Sequence, residues 1–247
     1  MIHYHGGPIG KGQAHEFFRG RHALVSLQDK RDLAVIAEVS PSFIFDNGSF
    51  SVWKSGKKMD VEKYYMWVED WQRHPGFDWA LIPDVINGNE KENDKLIDDW
   101  PFKRHLGVPV WHLNESVGRL KHLAFDWPSV ALGSTEGMEP GSEKFWSRMA
   151  IILDAVCDER GRPGCKLHGL RMLDPDIFRF VPLASADSAN AVLTSFQRSS
   201  GFGYYAPTRE SQKANIIADR IEAHNSAPIW NPSQSITVQQ ELSLCGH

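Results

Sequence analysis

Short apolar runs alternate with longer amphipathic stretches along most of the chain. Eight such runs lie between residues 2 and 187, and each has the length and apolar character of a buried strand. They cover residues 2–5 (IHYH), 22–27 (HALVSL), 42–46 (SFIFD), 79–84 (WALIPD), 108–113 (VPVWHL), 129–134 (SVALGS), 166–172 (KLHGLRM) and 182–187 (PLASAD).

The stretches between these runs, and one after the last of them, have the spacing of amphipathic helices. The five clearest cover residues 61–74, 89–105, 115–125, 143–161 and 209–225. The fourth presents an apolar stripe at helical spacing, which indicates a helix packed on a core. The stripe consists of Phe145, Met149, Ile152, Leu153 and Val156.

Strands that alternate with helices pair in parallel through right-handed crossovers. Eight such units in 247 residues predict an α/β fold, a single closed (β/α)₈ barrel of the TIM type. An open, doubly wound sheet is the alternative, but no GxGxxG or Walker loop supports a nucleotide site in such a sheet. We expect residues 1–225 to form the barrel domain and residues 226–247 to form a C-terminal tail, packed on the barrel or extending from it.

Composition narrows the function classes. The chain is 41% hydrophobic and 23% charged, with a formal net charge of -4, whereas dedicated nucleic-acid binders usually carry a basic excess. A nucleic-acid partner would therefore have to meet a local basic patch. Three cysteines without a CxxC pair indicate a reducing compartment and no cysteine-rich zinc site. The sequence shows no apolar run of membrane-spanning length and no signal-peptide pattern, so we expect a cytoplasmic protein without a membrane partner.

Polar residues follow several of the apolar runs directly. Barrel enzymes place their chemistry at the carboxyl ends of the strands, and there the sequence has Asp46, Asp84 and Asp187. The segment from Asp46 to Ser49 (DNGS) also has the composition of an ordinary turn. Three carboxylates on separate strands nevertheless favour a site, because a buried carboxylate is costly unless it is paired or functional.

The order of these segments resembles the guanine transglycosylase superfamily. The resemblance is carried by DNGSF (46–50), LIPDV (81–85), VPVWHLNE (108–115), SVALGST (129–135) and HGLRMLDPDIFRFVPLASADSAN (168–190). It is greatest for the phage and prokaryotic branch that acts on DNA, because the region after Asp187 contains only Cys245 where the tRNA enzymes have a zinc subdomain. No metal and no cofactor are therefore expected.

The resemblance implies a pentosyltransferase that replaces guanine in nucleic acid, DNA rather than tRNA, by a free 7-deazaguanine base of the preQ0 type. It implies that Asp187 is the nucleophile of a covalent glycosyl-aspartate intermediate and that Asp46 is the general acid and base. It further implies that the base is bound by four residues, namely Asn47, Asp84, His112 and Gly133.

A basic segment, KSGKK (54–58), follows Asp46 on the side of the barrel where the site is expected. Phosphate contacts require local positive charge, so Lys54, Lys57 and Lys58 are the predicted nucleic-acid contacts. Arg171, Arg198 and Arg209 are further candidates, and Phe50, Trp111 and Tyr4 are candidates for stacking on a base.

Two other functions remain open. His3 and His5 form an HxH pair on the first strand, and with Asp187 they match the pattern of a metal-dependent amidohydrolase, with His112 as a possible further ligand. The sixth strand ends in Gly133-Ser134 and offers no histidine to such a site. The second alternative is a non-catalytic relative that binds nucleic acid or a deazapurine without exchange.

Overall fold

Nine parallel strands form one sheet in the computed structural model, which describes residues 1–10, 12–56, 58–86, 88–196, 202 and 207–232. The strands are β1 Ile2–Gly6, β2 His22–Ser26, β3 Phe43–Asp46, β4 Phe77–Leu81, β5 Gly107–Val108, β6 Val110–His112, β7 Ser129–Gly133, β8 Lys166–Gly169 and β9 Ser185–Ser188. Their order in the sheet is β5-β4-β3-β2-β1-β9-β8-β7-β6.

The two ends of this order, β5 and β6, are halves of one barrel strand interrupted at Pro109. Proline has no N–H group and cannot donate to a neighbouring strand, so the hydrogen-bond ladder breaks there. The Pro109 carbonyl still accepts a bond of 2.9 Å from the Ala131 amide on β7, and β5 pairs with β4. The sheet therefore has eight barrel positions, which confirms the predicted (β/α)₈ fold.

Ten α-helices are present in the described part of the chain. They are α1 Ala14–Phe18, α2 Leu33–Val39, α3 Ser49–Lys54, α4 Val61–Trp71, α5 Glu90–Asp98, α6 Val117–Asp126, α7 Glu143–Val156, α8 Pro175–Phe178, α9 Asn190–Ser195 and α10 Glu210–Glu222. The five longest are those that the periodicity predicts, although each is shorter than expected. The prediction over 89–105 overran most: α5 ends before Pro101, which cannot continue a helix, and a 3₁₀ turn at Arg104–Leu106 follows.

Side chains alternate between the two faces of each strand, as the pleat requires. On β3, the outward Phe43 and Phe45 join the main core between strands and helices, where Phe45 stacks on Trp67 of α4 with ring centroids 3.6 Å apart. The barrel interior holds a smaller apolar cluster that includes Leu81 and Ala131. The last inward-facing positions of the strands lie above this cluster, at the carboxyl end of the barrel.

The first residues of the predicted tail pack on the barrel. The Ala227 amide donates to the Phe178 carbonyl at 3.1 Å, and the Trp230 amide donates to the Gly161 carbonyl at 2.7 Å. The Trp230 indole also donates to Asp154 at 2.6 Å. Residues 233–247 lie outside the described residues, so the domain boundary at 225 stays a prediction. None of the helices in the described part of the chain combines the length and apolar character that a membrane span requires.

Candidate active site

A cavity of about 260 Å³ opens at the carboxyl end of the barrel. Residues from all eight strand positions, or from the loops that follow them, line it. Of the residues predicted for the site, the lining includes Asp46, Asn47, Asp84, His112, Gly133 and Asp187. The structure therefore brings six of the nine predicted site residues together in this lining.

Asp46 is the last residue of β3, and the turn after it is built around its side chain. The Gly48 amide donates to Asp46 Oδ1 at 3.0 Å. Gly48 adopts a φ of +80°, and a Cβ atom there would lie 2.8 Å from Gln28 Cγ, so both the conformation and the space require glycine. Burial raises the pKa of Asp46 to about 6, and the nearby charges of Asp187 and Asp84 contribute in the same direction. The DNGS segment is thus both a turn and part of the cavity.

Asp84 and His112 form a buried pair on one wall of the cavity. Asp84 Oδ2 lies 2.9 Å from His112 Nε2, and the exposed fractions of the two side chains are 10% and 4%. Burial by itself lowers the pKa of His112, but the hydrogen bonds and charges of Asp84 and Glu115 outweigh burial and raise this pKa to about 9. His112 is therefore an imidazolium cation at neutral pH.

Asn47 is fully engaged by the protein itself. Its Nδ2 group donates to the Ile82 carbonyl and to Asp84 Oδ1, each at 2.9 Å, and its Oδ1 accepts from the Ser49 amide at 2.8 Å. An amide has only two N–H donors, and both are used. The structure thus differs from the predicted ligand contact, because Asn47 holds Asp84 in place and has no donor left for a ligand.

Asp187 forms a second carboxylate–imidazole pair. Its Oδ2 lies 2.9 Å from His168 Nε2, and its Oδ1 accepts from the Arg171 amide at 3.2 Å. His168 Nδ1 lies 2.8 Å from the Ser185 hydroxyl. The three bonds fix the carboxylate of Asp187 at the inner end of the cavity, where its charge acts on Asp46.

Gly133 ends β7 directly beside the His112 ring. A Cβ atom at this position would lie 3.1 Å from His112 Cδ2, which is closer than most real Cβ contacts. The Gly133 carbonyl accepts from the Leu113 amide at 3.0 Å. This carbonyl is therefore used in the barrel ladder, and the absence of a side chain at Gly133 leaves room for the imidazole.

The mouth of the cavity carries an exposed aromatic and cationic surface. Phe50 and Trp53 on α3 are 44% and 40% exposed, and the Arg171 guanidinium lies 4.3 Å from the centre of the Phe50 ring. Arg171 has a φ of 58°, an uncommon conformation for a side chain of its size. Lys54 and Lys58 are also exposed, whereas Lys57 lies outside the described residues.

Two histidines of the metal-hydrolase alternative, His3 and His5, face away from the cavity. His5 Nε2 lies 2.9 Å from Glu222 on α10, and His3 Nε2 lies 3.0 Å from the His224 carbonyl. Only Tyr4, between them, points into the barrel, because side chains alternate along β1. The interpretation of His3 and His5 as rim ligands beside Asp187 is therefore wrong. Within the described residues, no group of three or more histidine, cysteine or acidic side chains is arranged to hold a metal ion.

Two of the three candidates for stacking are also placed elsewhere. Trp111 points outward from β6, where its indole donates to the Ser116 carbonyl at 3.0 Å. Tyr4 is buried in the barrel interior and donates to Asp78 at 2.5 Å. Of the three, Phe50 alone lines the cavity.

Sequence reasoning assigned no role to three residues that support the site, namely His168, Glu115 and Asn93. A signal existed for His168, which lies on the seventh apolar run in an inward position, and for Glu115, which follows His112 by three residues. Asn93 lies on α5, remote from any strand end, and no local pattern indicates its contact with Glu115.

The solved structures similar to this chain include tryptophan synthase alpha-subunits from the hyperthermophile Pyrococcus furiosus. A mutant alpha-subunit matches with a TM-score of 0.49 and 11% identity, over 90% of this chain and 97% of its own. A further structure of this subunit matches with a TM-score of 0.48 and 11% identity, over 90% of this chain and 96% of its own. At this identity the likeness concerns the barrel fold alone. No protein-family model and no curated protein matches the chain.

These comparisons contradict the predicted membership in the guanine transglycosylase superfamily. The structural neighbours are tryptophan synthase alpha-subunits, and no family model supports a transglycosylase, so the predicted exchange of guanine for a 7-deazaguanine is withdrawn. The physical reason lies in the motifs. Segments such as DNGSF and LIPDV are short strand-end turns that many barrels can use, and here they serve internal bonds: Asn47 holds Asp84, and Asp84 binds His112.

Proposed function

We propose that this protein is a barrel enzyme that moves a proton to or from a small ligand, with Asp46 as the general acid and base. The observation that carries the proposal is the contrast among three carboxylates in one cavity. Asp84 and Asp187 are each bound to a histidine, whereas Asp46 is bound to a backbone amide and its pKa is about 6.

A carboxyl group with this pKa suits proton transfer near neutral pH. General catalysis is most efficient when the pKa of the catalytic group lies near the operating pH, and it typically contributes about 10²–10⁴-fold to the rate. An ordinary surface aspartate is almost wholly ionised at pH 7 and is a poor proton donor. The location supports the same conclusion, because barrel enzymes carry their catalytic groups at the carboxyl ends of strands.

The cavity also limits the ligand. Its volume of about 260 Å³ is at the small end of ligand sites. Asp84 and Asp187 have lone pairs left after their internal bonds, so they favour a ligand that presents hydrogen-bond donors or positive charge. Apolar contacts come from Leu24, Leu81 and Leu170. A small polar compound with several N–H or O–H groups fits this lining.

The experiment begins with a thermal-shift screen of small amines, amidines and polyols against the wild-type protein. For any compound that is both bound and converted, Asp46→Asn should lower kcat by about 10²–10⁴-fold and leave the Kd within a few-fold. The pH–rate profile should lose its inflection near pH 6. The matched control is Asp32→Asn, because burial also raises the pKa of Asp32, but this residue does not line the cavity. Full turnover by the Asp46 variant would refute the proposal.

A second proposal concerns the surface beside the mouth, for which a nucleic acid was predicted as partner. We propose that Phe50, Trp53, Lys54 and Lys58 bind a single-stranded polyanion. Exposed aromatic rings beside cations are the combination that binds single strands by stacking and charge. Lys54→Glu with Lys58→Glu should abolish binding of a fluorescent oligothymidine in low salt. Lys166→Glu, at the opposite end of the barrel, should not. Equal binding by wild type, the double variant and Lys166→Glu would exclude this surface as the binding site.

A further inference from the structure

A closed ring of hydrogen bonds and ion-pair contacts runs from the wall of the cavity into the protein behind it. Asp84 Oδ2 lies 2.9 Å from His112 Nε2, and His112 Nδ1 lies 3.5 Å from Glu115 Oε1. The same Glu115 oxygen accepts from Asn93 Nδ2 at 2.9 Å, and Asn93 Oδ1 accepts from the Val85 amide at 2.8 Å. Because Val85 is covalently joined to Asp84, these five residues form a ring, called the buried ring below.

We propose that Glu115 and Asn93 are positioning residues, which hold His112 in its doubly protonated form and thereby aim the carboxylate of Asp84 into the cavity. The functional meaning of this proposal rests on the proposed acid–base function. The physical claim, that Glu115 controls the charge of His112, does not depend on it.

Access to the cavity separates the two halves of the buried ring. Asp84 and His112 line the cavity, whereas Glu115 is 5% exposed, Asn93 is 2% exposed, and neither lines the cavity. Neither Glu115 nor Asn93 can touch a ligand in the cavity. Any effect of these two residues on a bound ligand therefore has to pass through His112 or Asp84. A buried ionic network contributes little net stability relative to apolar packing, which makes stability alone a weak reason for its presence.

The charges around His112 alternate in sign. Glu115 Oε2 binds Arg119 Nη1 at 2.5 Å, and Arg119 Nε binds Asp94 of α5 at 2.7 Å. From α7, the Arg148 guanidinium donates to the carbonyls of Leu113 and Glu115. On the remaining side, β7 presents Gly133, which has no ionisable group. His112 is therefore a cation between two anions.

The pKa values agree with this geometry. Burial alone raises the pKa of Glu115, but bonds from His112 and Asn93 and the charge of Arg119 outweigh burial and lower it. Glu115 thus remains ionised at neutral pH. An ionised Glu115 beside Nδ1 keeps both ring nitrogens of His112 protonated, so that Nε2 can only donate, and the acceptor it meets is Asp84 Oδ2.

The test is an NMR titration of the histidine ring signals, with the His112 signal assigned from its absence in His112→Gln. In Glu115→Gln, which keeps the shape and removes the charge, the pKa of His112 should fall by about one unit or more. The matched control is Glu222→Gln, because Glu222 binds His5 in a similar pair on the outer face of β1. The control should leave the His112 titration unchanged.

A second variant keeps the proposal testable if Glu115→Gln does not fold. Glu115→Asp retains the charge but withdraws it from Nδ1, so the pKa of His112 should fall by less than in the glutamine variant. An unchanged pKa in whichever variant folds would overturn the proposal. The titration needs no substrate, so its failure is distinct from the failure of the proposed function, which would appear as turnover by Asp46→Asn.

Discussion

Asp187 and His168 lie on neighbouring strands, β9 and β8, and their side chains meet at 2.9 Å inside the barrel. Both side chains are almost wholly inaccessible, with exposed fractions of 4% and 2%. A carboxylate in such surroundings depends on its few partners, which here are the imidazole and the Arg171 amide. This pair and the Asp84–His112 pair fix two of the three cavity carboxylates and leave Asp46 as the one without an imidazole.

Removing the imidazole should therefore destabilise the protein strongly. We expect His168→Ala to lower the free energy of unfolding by about 3–5 kcal/mol, because it leaves the buried Asp187 carboxylate without its main partner. In a background of Asp187→Asn the same substitution should cost clearly less, since no buried charge is then left behind. Urea denaturation of wild type, the two single variants and the double variant gives the coupling energy between His168 and Asp187. Additive losses of stability would show that the two side chains are independent.

Replacing Asp46 should have the opposite effect on stability. Its pKa in the folded protein is about 6, against an ordinary value of 3.8. The folded state therefore binds the proton more tightly than the unfolded chain, and stability falls as pH rises from about 4 to about 6. We expect Asp46→Asn to be more stable than wild type by roughly 1–3 kcal/mol at pH 7 and nearly equal to it below pH 4. Urea denaturation at pH 7 and below pH 4 measures this difference in stability. An Asp46→Asn variant less stable than wild type at pH 7 would contradict the prediction.

His112 should make stability depend on pH in the alkaline range. Its pKa is about 9 in the folded protein, against 6.5 when unperturbed. A raised histidine pKa contributes stability that is complete below pH 6.5 and is lost as pH rises through about 9. Wild type should lose roughly 2–3 kcal/mol more than His112→Gln between pH 6.5 and 9.5. Equal losses in the two proteins would show that His112 is not charged in the folded state.

Substitution of Gly161 tests how much its close contact with Trp230 contributes to stability. A Cβ atom on Gly161 would overlap the Trp230 carbonyl oxygen, and its φ is +74°. Gly137 has a similar φ of +78° but nothing near its missing Cβ, so it isolates the backbone contribution. We expect Gly137→Ala to cost about 1 kcal/mol and Gly161→Ala clearly more. Thermal unfolding compares the two, and equal losses would mean that the Trp230 contact is dispensable.

The strand ends of this protein could be predicted because they depend on local pattern. Apolar runs located the strands, and the polar residues after them located Asp46, Asp84 and Asp187. The direction of a side chain depends on register as well, and this is why His3 and His5 were misplaced: they share the outer face of β1. The short helices also escaped prediction, because four to seven residues show too little periodicity.

The partners of the carboxylates could not be predicted for a different reason. Asn93 meets Glu115 because α5 docks beside the loop after β6, and docking is a property of the whole barrel. Short motifs were misleading for the same reason. Asn47 follows Asp46 in a turn that looks like a ligand-binding loop, yet its donors are taken up by Ile82 and Asp84 across the neighbouring strand.

The pairing of β1 with both β2 and β9 has a consequence for synthesis on the ribosome. Ile2 pairs with Ser185, so one edge of the first strand has no partner until most of the chain has emerged. At translation rates of about 5–20 residues per second, that edge is exposed for roughly ten seconds or more. An unpaired edge invites association with other strands. Nascent chains of this protein that stall before Ser185 should therefore depend on chaperones. In the finished barrel, β9 pairs with this edge of β1.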